Sequence, residues 1–353
     1  MRAAAIAFAV LCANSIAAAP LATPGGPEPA NTREIMAQLR QDTPDFELLL
    51  SYGTSRGASA GHIALAVAQD GANEPVVYSA NFYADRDPKH AANYVTSDLM
   101  LRIPKTEYLY GTSSSLGAKA SFGLDYGEVY KRSVVGVRVH GVPQAERRAV
   151  GEYLRRMNAD FVSRARDPEY QRGEVKYGYT DLNCAKTIAS GFYYGAGYRD
   201  LRIRESPSLR ARVVARMLNA NTPSEMAVQL LRAFDARGYR MDGVLYRKWP
   251  ASPYVDPLAD EPVAFKDLPD RFPSAISLDF RNDPGGYEDY DNLYAIALLR
   301  NLQRFEVVPD VASGAVRLVE SSPASFADAS RAATASAEQD SKPFLQRLKR
   351  SPS

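Results

Sequence analysis

Tyr177-Gly-Tyr-Thr-Asp-Leu-Asn-Cys-Ala-Lys-Thr-Ile-Ala-Ser-Gly-Phe192 carries a helix start and a cysteine in one stretch. Asn183 is a favourable N-cap, and Ile188, Ala189 and Phe192 recur at helical spacing, so a helix is predicted to begin at Cys184. A thiol in the first turn of a helix lies among backbone N–H groups without intrahelical partners, at the positive end of the dipole. There the thiolate is favoured, which is how a nucleophilic cysteine is commonly prepared. The same position suits a small buried hydrophobe, because free cysteine is among the most buried residue types.

Working outward, the N-terminus reads as an export signal over residues 1–19, with Met1-Arg2 as a minimal positive region before the apolar run Ala3 to Ala13. Cys12 falls inside that segment and is expected to leave with it, and Ala9-Val10-Leu11 is a poor context for lipid attachment there. Cys184 would then be the mature protein's one cysteine, exposed to an oxidising compartment with no internal disulfide partner. The expected location is periplasmic or secreted, with no transmembrane segment after signal removal. The 353 residues carry a formal net charge of +2, so no global field points to nucleic acid or an anionic membrane. No P-loop or dinucleotide fingerprint is present, and no cofactor is expected.

Residues 20–31 read as a Pro-, Gly- and Ala-rich linker, followed by a helix start at Asn31. Phe46 to Tyr52 has strand composition, and Gly61 to Val67 and Val76 to Phe82 form an expected β-hairpin. His62 heads the first hairpin strand and is the natural partner for a reactive Cys184. A Cys–His pair needs a third polar group to orient the imidazole, and Asn81 and Ser79 share the facing position; Asn81 has the longer reach. His90 and His140 read as a loop residue and a strand-end residue.

Strands are expected at Leu99 to Ile103, Tyr108 to Leu116 and Val134 to Val139. An amphipathic helix is expected over Gln144 to Ala165, with Val150, Tyr153, Leu154, Met157, Phe161 and Val162 on its apolar stripe. Tyr177 and Tyr179 could line a substrate cleft or simply pack. Further helices are predicted at Ser208 to Leu218, Pro223 to Ala236 and Leu293 to Phe305, while Tyr239 to Asp270 shows little periodicity. Gly285 to Asp291 is acidic but lacks the carboxylate alternation of an EF-hand, so no metal site is expected.

Gly61-His62 at a strand head, a polar residue on the next strand, and Tyr-x-Tyr-x-x-x-Asn-Cys opening a helix together resemble the circularly permuted papain-like proteins. These include permuted NlpC-type cysteine peptidases and lecithin:retinol acyltransferase-like enzymes, and the pattern is most similar to the exported Lnb N-terminal periplasmic domain family. The resemblance spans Phe46 to Gly197. It implies an α+β fold in which Cys184 is the nucleophile, His62 the base, Asn81 or Ser79 the orienting group and Asn183 the residue beside the oxyanion site. Ala185-Lys186-Thr187 departs from the acidic and histidine-bearing run of the acyltransferase-like enzymes, and a second histidine is missing.

The resemblance implies a peptidase- or amidase-type hydrolase acting on a peptide, cell-wall or lipid-like substrate. A non-catalytic envelope binding or assembly protein on the same fold is the alternative. The expected division is a papain-like domain over residues 32–198, an extension over 199–320 and a mobile tail over 321–353.

Overall fold

The computed structural model describes residues 43–51, 61–87, 89, 95–111, 129, 133–169, 173–178, 182–203, 222–249, 290–310, 312 and 315–350. The chain is α+β: one mostly antiparallel sheet of eight strands with six α-helices among the described residues. The strands are β1 (Phe46–Ser51), β2 (His62–Val67), β3 (Val76–Ala80), β4 (Met100–Pro104), β5 (Val134–His140), β6 (Arg240–Tyr246), β7 (Gln303–Asp310) and β8 (Ala315–Glu320). Their order across the sheet is β4-β3-β2-β1-β5-β6-β7-β8, and β6–β7 is the parallel pair. The helices are α1 (Lys105–Tyr110), α2 (Gln144–Ser163), α3 (Cys184–Ser190), α4 (Pro223–Ala236), α5 (Tyr290–Leu302) and α6 (Phe326–Arg350), and a π-helical turn, Gly191–Gly195, continues α3.

All six residues of β1 are buried because the strand is central, flanked by β2 and β5. Alternation sends Phe46, Leu48, Leu50, Ile63, Leu65 and Val67 to one face, where they join a core with α2, α3, α4 and α5. Leu49, Ala64, Ala66 and Val77 point to the other face, with Leu101, Val244, Tyr246 and Trp249. Between those apolar residues lies a buried ionic network. Lys105 Nζ stands 2.5 Å from Glu47 Oε2, Tyr246 donates to Glu47 Oε1 at 2.7 Å, and Arg138 Nε donates to Asp242 Oδ1 at 2.6 Å. Gly136 makes room for it: a Cβ there would overlap Glu47 Oε1 and stand 2.9 Å from Tyr246 Cε2.

Local chemistry explains the helix ends. Thr222 accepts from Glu225 N–H at 3.1 Å and Pro223 takes the first helical position, so α4 starts where its sequence says. α2 ends at Ser163 rather than Ala165, closed by Arg164 in the left-handed region at φ 57°. Val162, expected on its apolar stripe, is 56 % exposed.

Other expectations are corrected. Tyr108 to Tyr110, expected to open a strand, belong to α1, and residues 112–116 of that expected strand lie outside the described residues. α5 stops at Leu302, where β7 begins. β6 occupies the start of the stretch expected to be irregular, and β5–β6 pairing carries the sheet across the boundary expected at residue 198. Within the expected mobile tail, residues 326–350 form α6, which packs through Ala329, Ala333 and Ala337. The expected N-terminal signal, linker, Asn31 helix and Ser208 to Leu218 helix, and residues 285–289 of the acidic stretch, lie outside the described residues.

Candidate functional site

Cys184 is the first residue of α3, as the sequence predicts. Asn183 Oδ1 accepts from Lys186 N–H at 2.9 Å, and the Asn183 carbonyl accepts from Thr187 N–H at 2.9 Å and from Thr187 Oγ1 at 2.8 Å. Those bonds occupy the third and fourth amides of the turn. The amides of Cys184 and Ala185 are the two with no acceptor inside the helix, and both stand beside the thiol. Cys184 is free and only 6 % exposed. α3 is buried on every side, including Lys186: a lysine among small apolar residues reads as a surface position, and only the burial of the whole helix shows otherwise.

His62 opens β2, directly after Gly61, whose φ of 83° favours glycine. The ring's Nε2 lies 2.8 Å from Ser79 Oγ, so the group that orients His62 is Ser79. Asn81, given the longer reach in the sequence, is spent elsewhere. Its Nδ2 donates to the carbonyls of Val95 and Asp98 at 2.9 and 3.0 Å, and its Oδ1 accepts from Tyr83 N–H at 3.0 Å. The amide thus ties the turn after β3 to the segment before β4, a role that burial of a short loop demands. The β2–β3 ladder is paired from Val67–Val76 to Leu65–Tyr78, and Ser79 lies diagonally across from His62 on one face.

The histidine and the cysteine lie at the same end of the sheet. His62 is paired with Ser51, the last residue of β1, and Phe46 is that strand's opposite end. Phe192, at the far end of the cysteine helix, meets Phe46 with ring centroids 5.1 Å apart. Tyr177, just upstream of the cysteine, packs edge-on against Phe82 just beyond β3, with centroids 5.8 Å apart. A bridge between Gly178 and Leu182 then leads into Asn183. Tyr177 is therefore a packing residue at this end; Tyr179 lies outside the described residues.

The two groups differ in face. Cys184 belongs to the core containing Ile63, Leu65, Tyr78 and Ala80, whereas His62 and Ser79 alternate with those residues and share the face of Ala64, Val77 and Leu101. The pairing expected of His62 and Cys184 thus has both members at one sheet end, with the β2–β3 layer between their side-chain directions. His140, expected at a strand end, lies at the end of β5 with Nε2 3.3 Å from Asp242 Oδ2. His90 is outside the described residues.

No group of three or more metal-ligating side chains occurs among the described residues. No helix among them is long and apolar enough to cross a membrane. No family model, no curated protein and no solved structure matches the chain.

Proposed function

We propose that this chain is an exported thiol hydrolase of the permuted papain-like kind, with Cys184 as nucleophile and His62, oriented by Ser79, as base. The observation that carries this reading is the first-turn position of Cys184 beneath the Asn183 cap, at the sheet end that also holds the His62–Ser79 pair. With Nε2–H donating to Ser79 Oγ, Nδ1 is the ring nitrogen that would take the thiol proton, a transfer that requires the imidazole and the thiol to come to the same side of the β2–β3 layer. The thiolate adds to an amide or ester carbonyl, and the N–H groups of Cys184 and Ala185 are the donors to the resulting oxyanion. The imidazolium then protonates the leaving amine or alkoxide as its bond to the acyl carbon breaks. Water, losing a proton to His62, cleaves the thioester to release the acid and restore the thiol. A cell-wall peptide or another amide is the first substrate class; a lipid ester is the second.

One observation favours a second reading, a non-catalytic envelope binding or assembly protein. Strand alternation directs His62 and Ser79 away from the α3 face, where Cys184 sits at 6 % exposure as a core residue would. The pH dependence of Cys184 alkylation by iodoacetamide, in the mature protein and in His62→Ala and Ser79→Ala variants, separates the two. A thiolate persisting well below pH 7, whose apparent pKa returns towards about 8.5 when His62 is replaced, supports the hydrolase. A thiol that ignores His62, or does not react while the protein is folded, sinks it and leaves the binding protein.

A further inference from the structure

A cleft of 290 Å³ opens between α2 and the edge of the sheet, and its walls carry Arg102, Arg155 and Asn158 over a floor of Tyr78, Met100 and Leu154. Arg102 stands on β4, the edge strand, in register with Tyr78. Alternation therefore places it on the helix-facing side of the sheet, where it is exposed at the rim of the cleft. Arg155 approaches from α2, and its Nη1 donates to Tyr78 Oη at 3.2 Å, a neutral partner that fixes the guanidinium without neutralising it.

Other arginines along α2 are paired with carboxylates: Arg147 with Asp45 and Asp70, Arg148 with Asp70, Arg156 with Glu169. Among the described residues, Arg102 and Arg155 have no carboxylate partner. The acid at the cleft, Asp98, is committed, its Oδ1 accepting from Asn158 Nδ2 at 3.0 Å and its Oδ2 from Ser97 Oγ at 3.0 Å. Asn158 is itself pinned, its Oδ1 accepting from the N–H groups of Leu99 and Met100 at 2.8 and 3.1 Å. Two guanidiniums against one carboxylate leave the cleft net positive, with Arg155 and Asn158 held in place and Arg102 exposed at its rim.

We propose that this cleft is an anion-binding site that takes a multiply charged oxyanion group, carboxylate or phosphoryl, between Arg102 and Arg155. Guanidinium forks match both kinds of oxyanion, and the held Arg155 and Asn158 reduce the ordering that binding has to impose. The site is separate from the thiol chemistry and stands or falls without it. Charged side chains on an edge strand also serve as protection against strand pairing between molecules, and that bland role is the competing account of Arg102.

The test titrates the full mature chain calorimetrically with tricarballylate and, in a second arm, with inorganic phosphate. Saturable one-to-one binding in either arm is expected, and the arm that saturates at lower concentration identifies the oxyanion. Arg102→Gln and Arg155→Gln should each weaken it about tenfold or more, as loss of a charge-assisted contact does, while Arg148→Gln leaves it unchanged. Arg155→Lys, which keeps the charge and loses the fork, should fall between. Absence of saturable binding in both arms overturns the proposal, as does binding that the folded double variant retains. Self-association of Arg102→Gln with no parent binding assigns Arg102 to edge protection and likewise overturns it.

Discussion

On the helix-covered face of the sheet Phe192 meets Phe46, Tyr198 and Phe234 with ring centroids 5.1, 5.2 and 5.4 Å apart, while on the opposite face Glu47, Arg138 and Asp242 are as deeply buried and carry charge. The same strands supply both sides. The aromatic side is non-directional and tolerates volume-conserving change, whereas the ionic side is held by partners that must all be present. Arg138 shows the demand most plainly: it is fully buried and stacks over Phe305 at 4.7 Å, Nε reaches Asp242, yet Nη1 and Nη2 have no hydrogen-bond partner. The difference teaches that burial alone does not mark the functional side of this sheet.

The largest expected effect breaks the ionic side one partner at a time. Asp242→Ala removes the carboxylate facing Arg138 and His140 and leaves a buried guanidinium uncompensated. A loss of about 3–5 kcal/mol is expected by urea unfolding. Replacing both members with apolar residues, Arg138→Met with Asp242→Leu, should recover most of that loss, since a buried pair is often no better than a packed hydrophobic one. A double variant as unstable as the single would show that Asp242 acts mainly through His140 and Arg304 instead.

A smaller effect sharpens the comparison through pH. Burial pushes the Asp242 carboxyl upward, but the nearby His140 imidazole and the hydrogen-bonded Arg138 guanidinium outweigh it and hold the group below the usual carboxylate range. A depressed folded pKa contributes stability that is complete above the unfolded value of about 3.9 and is lost as pH falls below it towards the folded value. Urea midpoints of the parent should therefore drop below about pH 4 more steeply than those of Asp242→Asn. Phe192→Leu, on the aromatic side, should lower the curve without changing its slope. Parallel curves for the parent and Asp242→Asn would remove Asp242 from the acid response.

Much of the scaffold was legible in the sequence, and the reasons are local. The hairpin of β2 and β3, the strand β5, the stripe of α2 except Val162, the Pro223 start of α4 and the Asn183 cap all follow from short-range patterns, and the structure has each. What escaped depended on distant partners. Tyr108 to Tyr110 read as the start of a strand, yet Glu74 accepts from the N–H and hydroxyl of Thr106 at 3.0 and 2.7 Å across the fold, holding the first turn of α1. β6 lacked a pattern because its two faces are both buried, so Asp242 and Gly243 interrupt what periodicity would need. α6 read as no more than one weak helix in a mobile tail because alanine and serine dominate it, although Ala329, Ala333 and Ala337 repeat at the spacing of one helical face. At the site, Cys184 and its cap could be read from composition. The choice of Ser79 over Asn81 could not, because it turns on the Asn81 amide being drawn to Val95 and Asp98.

The smallest expected effect is at the cap, where the aromatic side and the thiol meet. Asn183→Ala removes the acceptor for Lys186 N–H and should cost about 1 kcal/mol in urea unfolding, with no dependence on pH. Asn183→Asp retains an acceptor at the same place and, as a negative charge at a helix start, should restore most of the loss. That charge also stands next to the thiol, so thiolate formation becomes harder even as the helix is repaired. A reactive Cys184 would then alkylate more slowly in Asn183→Asp than in the parent at the same pH, while unfolding measurements place the two close together. If alkylation follows stability across the three proteins instead, the thiol is reached by opening of the core, and the first turn of α3 is a packing element like the rings behind it.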